Sequence, residues 1–205
     1  SPHFLWNAKM RFGKTFAAYK LAEKMNWKKI LVLTFKPAVQ SAWEEDVLNH
    51  TDFKGWKFLT NKEKFPKKID NTVIYFGSFQ DFLGKNKSGG IKSKNEYVHT
   101  INWDCVIFDE YHYGAWRDRA KELFEAEDSK EKKFIDGEGI DYFDQDIMPI
   151  TTNHYLYLSG TPFRAITSGE FIEEQIFNWT YSDEQKAKEE WKKDNSPYAS
   201  LPRMV

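Results

Sequence analysis

The chain has 205 residues, with 30 Lys and Arg against 31 Asp and Glu for a net charge of -1, room for one ordinary domain whose affinity for nucleic acid must come from a local basic surface. Hydrophobic residues make up 40% and aromatics 17%, with 8 Trp and 17 Phe, which excludes a disordered chain and supplies a core without disulfides or a structural metal. The lone cysteine, Cys105, has no internal partner. No run approaches about 18 apolar residues and the N-terminal stretch lacks signal-peptide order, so the expected setting is the reducing cytoplasm, off the membrane.

Taken in chain order, short apolar runs predict strands at 3–8 (HFLWNA), 29–35 (KILVLTF), 72–77 (TVIYFG), 104–110 (DCVIFDE) and 154–160 (HYLYLSG). Runs apolar throughout belong to strands buried on both faces. Between the first two, Ala17, Ala18, Leu21, Ala22 and Met25 repeat at helical spacing; after the second, Val39, Trp43 and Val47 do the same, with Pro37 where that helix would begin. This alternation predicts βαβ units: an α/β fold with a mostly parallel sheet between helical layers. Residues 82–95 carry four lysines, no acid and a Gly-Gly pair, the composition of a basic loop, while 121–147 read as an acidic solvated helix and loop. Ser182 and Gln185 are spaced as a capping box for a last helix with Ala187 and Trp191 on one face, stopped by Asn195-Ser196-Pro197.

Two motifs carry chemistry. Residues 8 to 15, Ala8-Lys9-Met10-Arg11-Phe12-Gly13-Lys14-Thr15, match the phosphate-loop pattern G-x-x-x-x-G-K-[ST] with Ala in place of the first Gly. They lie between a predicted strand and a predicted helix, where loop amides and the helix N-terminus make a concave anion site. Lys14 would reach the β- and γ-phosphates, the Thr15 hydroxyl would ligate Mg²⁺, and Gly13 would let the backbone come close. The second motif is Asp109-Glu110 at the end of a strand, the edge where open parallel sheets bind ligands. Asp109, placed beside the phosphate loop, would hold Mg²⁺ and Glu110 would orient or deprotonate the attacking water. His112 would pass the site's state onward. Alone, a Gly-Lys-Thr is as readily a plain helix start and an Asp-Glu pair a plain polar turn; occurring in this order, each supports the other.

The phosphate loop, DEYH at 109 to 112 and SGTPF at 159 to 163 resemble the first RecA-like lobe of DExH-type superfamily-two helicases and translocases. TFKP at 34 to 37 and GSFQ at 77 to 80 resemble further motifs of that lobe, so the likeness spans residues 8–163. In wording (RFGKT, DEYH, SGTPFRA) it is most similar to the translocase subunits of type I and type III restriction enzymes. The resemblance implies a RecA-like P-loop NTPase sandwich over 1–165, with an insertion at roughly 113–153 and a helical extension at 166–205. It implies ATP with Mg²⁺ at the residues just named, coupling through Ser159 and Thr161, and nucleic acid along Phe35, Lys36, Ser78 and Gln80, DNA ahead of RNA.

The family's second lobe, with its arginine, would be a partner that this chain lacks, leaving the chain as part of a longer motor and nearly inactive in isolation. Plain turns and helix caps stand as the alternative for SGTP and for Ser78 with Gln80, and ordinary surface for the lysines at 85–94 and 57–68. At the level of function, a nucleotide-driven binding switch without translocation, an RNA helicase lobe and a P-loop kinase compete with the translocase.

Overall fold

A computed structural model describes residues 2–34, 37–83, 96–110, 150–160, 171–191 and 195–197, without the side chains of 80, 83 and 96. The expected basic loop and acidic helix fall almost wholly outside these residues. The described elements are β1 (His3–Ala8), α1 (Lys14–Lys24), β2 (Lys29–Thr34), α2 (Gln40–Asn49), β3 (Lys57–Thr60), β4 (Val73–Ser78), α3 (Phe79–Leu83), α4 (Glu96–Thr100), β5 (Asn102–Trp103), β6 (Cys105–Asp109), β7 (Thr151–Thr152), β8 (Tyr155–Ser159), β9 (Ile176–Trp179) and α5 (Tyr181–Glu190).

Seven strands form one sheet in the order β3-β4-β2-β6-β8-β1-β9, and every pairing in it is parallel. The order follows from burial. Alternate residues of one strand face opposite sides, so Ile30 and Val32 of β2 join a core with Ala18, Tyr19 and Ala22 of α1 and Trp43 and Val47 of α2. Leu31 and Leu33 join the other, with Tyr75, Phe108, Phe79, Phe82, Val98 and Trp103. Two cores on one sheet make the three-layer α/β sandwich expected of a RecA-like lobe.

The five predicted strands are present, each within a residue or two of its expected ends. Two edge strands went unread. β3 lies in the lysine-rich stretch 57–68, where Phe58 and Leu59 each supply one apolar face. β9 lies within the stretch read as a helical extension, yet it pairs along β1 from Leu5 to Ala8. Residues 176–190 therefore belong to the same layered body as the first strand.

The helical stripes also shift. α1 ends at Lys24, which leaves Met25 beyond it and exposed, and Tyr19 fills the inward position. The capping box of α5 is Thr180 with Asp183 and not Ser182 with Gln185: the Thr180 hydroxyl accepts from the Asp183 amide at 3.2 Å, and the Asp183 carboxylate accepts from the Thr180 amide at 2.8 Å. The side chain that α5 buries is Glu184, while Trp191 lies outside the helix and is exposed.

Gly77 is a position where no other residue fits. A Cβ there would lie 2.2 Å from the Phe82 ring, which α3 folds back over the end of β4.

Candidate active site

The C-terminal ends of the strands line up. Register pairs Thr34 with both Asp109 and Ser78, and Asn7 with Ser159, so β4, β2, β6, β8 and β1 finish on one edge of the sheet. The polar ends Thr34, Ser78, Asp109 and Ser159 are buried, and they gather there because each apolar run stops at the rim where ligands bind in such sheets.

The loop from Ala8 to Thr15 leaves β1 at this edge. Ala8 is the fully buried last residue of β1 in ordinary strand conformation, so the missing first glycine costs nothing there. Met10 and Arg11 are exposed, and Arg11 takes a left-handed φ of 63°. Phe12 packs against Phe177 and Trp179, and its amide donates to the Lys9 carbonyl at 3.2 Å. Gly13 has φ of 84° with no atom within 4 Å of where a Cβ would stand. It is glycine because a left-handed residue must turn the chain into α1. α1 opens with Lys14 and Thr15, placing its first amides at the loop.

Lys14 bends back over the loop, its Nζ donating to the Ala8 carbonyl at 3.1 Å. Burial lowers its pKa, and the negative charges of Glu110 and then Asp109 pull the other way. Gly160, just past β8, borders the same amine: a Cβ there would lie 3.9 Å from Lys14 Nζ. Lys9 is turned away. Its amide donates to the Trp179 carbonyl at 3.0 Å, and its ammonium is buried 2.6 Å from Glu184, so neither points a donor at a ligand over the loop.

Asp109 ends β6 and is 8% exposed. One carboxylate oxygen accepts from the Trp43 indole at 2.7 Å and the other from the Glu110 amide at 2.9 Å. Burial pushes its carboxyl above the ordinary range, the Trp43 hydrogen bond opposes this, and the charge of Glu110 adds to the rise. Glu110 is half-buried with a left-handed φ of 56°, a turn that a residue with a Cβ adopts at some cost. β8 lies between β6 and β1, so the Lys14 and Asp109 charges face each other across the end of β8.

Among the described residues no group of three or more His, Cys, Asp and Glu could hold a metal by itself. One buried carboxylate and a hydroxyl at the helix start form an oxygen donor set that suits Mg²⁺ shared with phosphates, since Mg²⁺ keeps waters and few protein ligands, and the lysine beside them answers phosphate charge. The residues present fit that group.

Elsewhere on the edge, Ser159 is fully buried. Ser78 caps α3: its hydroxyl donates to Asp81 at 2.7 Å and accepts from the Asp81 amide at 3.1 Å. Gln80 lies in α3, and Phe35, Lys36, His112 and Thr161 lie outside the described residues. Trp43 was missed as a functional residue. Its place in an apolar helical stripe signalled only core, and nothing in sequence marks which core indole meets a carboxylate.

A family model described as "Type III restriction enzyme, res subunit" (ResIII) matches residues 8–164. The chain belongs to that family. It is thereby a first RecA-like lobe of the superfamily-two helicase and translocase class. This res-family lobe is 36% identical over 208 residues to the "Putative type II restriction enzyme and methyltransferase RM.MpnORF110P C-terminus" of Mycoplasma pneumoniae, with 90% of this chain and 29% of that protein covered. It is also similar to the SWI2/SNF2 ATPase core domain of Sulfolobus solfataricus, at 14% identity and a TM-score of 0.47 over 80% of this chain and 28% of that one. The lobe thus spans less than a third of either relative's length. Among the described residues, no helix is long and apolar enough to cross a membrane.

Proposed function

We propose that this res-family lobe binds Mg-ATP at the Ala8–Thr15 loop and is the first half of an ATP-driven DNA translocase, working within a restriction enzyme. The observation that supports it is the meeting, across the end of β8, of a lysine at a helix start with the buried Asp109 and its half-buried neighbour Glu110. Gly13 and the first turn of α1 offer amides to the phosphates, and Lys14 leaves the Ala8 carbonyl to bind the β- and γ-phosphates. Mg²⁺, held by Thr15 and Asp109, would neutralise charge on the phosphate oxygens. Glu110, next to Asp109 on its left-handed turn, orients the attacking water and takes its proton.

Ser159, Thr161 and His112 carry the nucleotide state toward a nucleic-acid track along Phe35, Lys36 and Gln80. The Ser78 hydroxyl already serves as a helix cap, so Ser78 shapes that track and does not itself grip phosphate. A second RecA-like lobe of the whole protein closes on this edge and adds an arginine, a contribution of about 10³–10⁵ in rate in related phosphoryl-transfer systems. Lobe one alone therefore binds nucleotide far better than it hydrolyses it.

Titration with a fluorescent ATP analogue and Mg²⁺ tests the reading. Lys14→Ala should weaken binding about ten- to a hundredfold, the worth of one charge-assisted contact. Glu110→Gln in the complete protein should leave binding in place and remove turnover. Equal affinity for Lys14→Ala, or surviving turnover for Glu110→Gln, would refute it.

A further inference from the structure

The outer wall of the Ala8–Thr15 loop is built by the segment from β9 to α5. Lys9 sends its ammonium into this segment, where it lies 2.6 Å from Glu184 and 4.7 Å from the centre of the Tyr181 ring. Lys188 approaches Glu184 from the other side at 2.9 Å. The Lys9 and Glu184 side chains are 4% and 1% exposed. The Lys9 amide is tied to Trp179, and Phe12 lies against Phe177 and Trp179 at 5.9 and 6.2 Å between ring centres. Lys9 and Phe12 are thus both held by this segment, as is Ala8 through its pairing with Trp179.

Burying a charge pair gains little stability over an apolar pair of the same size, because desolvation offsets the attraction. What such a pair does supply is a fixed place: Lys9 has one position where its charge is answered. An anion site made of backbone amides works only when those amides already point at the ligand, so an anchor at one end of the loop acts on affinity at the other.

Building on the nucleotide reading above, we propose that Glu184, through Lys9, is a positioning residue for the nucleotide loop. The β9–α5 segment, following the lobe's motifs in sequence, braces the loop from behind and is linked to its occupancy. The linkage is reciprocal: if α5 sets the loop for nucleotide, nucleotide must steady α5.

The test uses the intact protein. Nucleotide affinity is measured with a non-hydrolysable ATP analogue and Mg²⁺ for the wild type, Glu184→Gln and Lys186→Met, and amide hydrogen exchange is followed with and without the analogue. Glu184→Gln should weaken binding about tenfold, while protection of β2 and β4 stays unchanged and exchange rises over residues 9–15. Lys186→Met, on the same helix but paired with Glu190 in solvent, should change affinity less than about twofold. In the wild type the analogue should slow exchange over residues 181–190.

Unchanged affinity in a folded Glu184→Gln, with the wild type binding normally, overturns the brace and leaves the nucleotide reading standing. Should Glu184→Gln fail to fold, the wild-type exchange decides: no slowing over 181–190 on binding overturns the proposal. A wild type that does not bind the analogue removes both readings together.

Discussion

Replacing Trp43 with Phe isolates the contact that fixes Asp109. Trp43 is 1% exposed, its indole donates to the Asp109 carboxylate at 2.7 Å, and its ring meets Tyr19 edge-on at 5.3 Å. Phenylalanine keeps an aromatic edge for Tyr19 but loses the N–H and part of the ring. A hydrogen bond to a charged acceptor contributes about 1.5–3 kcal/mol, and the vacated volume adds about 1 kcal/mol. The sum, about 2.5–4 kcal/mol, corresponds to a fall of about 5 to 16 °C in Tm for a domain of this size. Thermal unfolding of Trp43→Phe, Asp109→Ala and the double variant separates the two parts. The packing loss appears in either background, whereas the hydrogen bond appears only as coupling, expected at about 1.5–3 kcal/mol. Coupling below about 0.5 kcal/mol, the usual scatter of independent sites, would show that the indole does not hold the carboxylate.

Gly77→Ala should destabilise by about 1–3 kcal/mol in urea unfolding, the usual cost of overpacking, because its Cβ meets a buried ring; wild-type stability would refute the clash. Asp109→Asn should raise the Tm at neutral pH. Native Asp109 keeps its proton to a higher pH than the ordinary 3.8, so its ionisation costs stability above that raised value and the cost fades as pH falls toward 3.8. The gain should shrink in acid; a gain that grows there contradicts the burial argument. Trp43→Phe and Glu184→Gln share no partner and sit on opposite sides of the edge, so their stability effects should add to within about 0.5 kcal/mol, checked by melting the double variant.

The central strands were legible because a strand buried on both faces is apolar at every position, as Ile30 to Leu33 are. The loop and Asp109-Glu110 were legible because their chemistry needs adjacent residue types. Edge strands escaped for the opposite reason. β3 and β9 are half solvated, four residues each, and written partly in lysine and asparagine, so their identity comes from the neighbour they pair with. The cap of α5 was misplaced by two residues because Thr180-x-x-Asp183 and Ser182-x-x-Gln185 both fit the pattern, and only the direction of the β9 strand decides which one starts the helix. The direction of the Lys9 side chain was not legible either. Position in a phosphate-loop pattern says where a backbone runs, and a side chain four carbons long is free to answer a carboxylate on the other side of it.

These placements make the two halves of the proposed nucleotide site depend on different supports. Asp109 is fixed from the α1–α2 layer, where the Tyr19 hydroxyl donates to the Trp43 carbonyl at 2.8 Å and Trp43 in turn donates to Asp109. The loop is fixed from the far edge, by β9 and Glu184. Between them lies β8, whose end carries Ser159 and, beside Lys14, Gly160. A shift in either support would alter the gap that the proposed triphosphate bridges, and β8 is the strand that lies between the two sides. On the proposed reading, a residue at its end would report whether the gap is filled, and α2, which follows Phe35 and Lys36 in the chain, would pass movement of the proposed nucleic-acid track to Asp109 through the Trp43 indole.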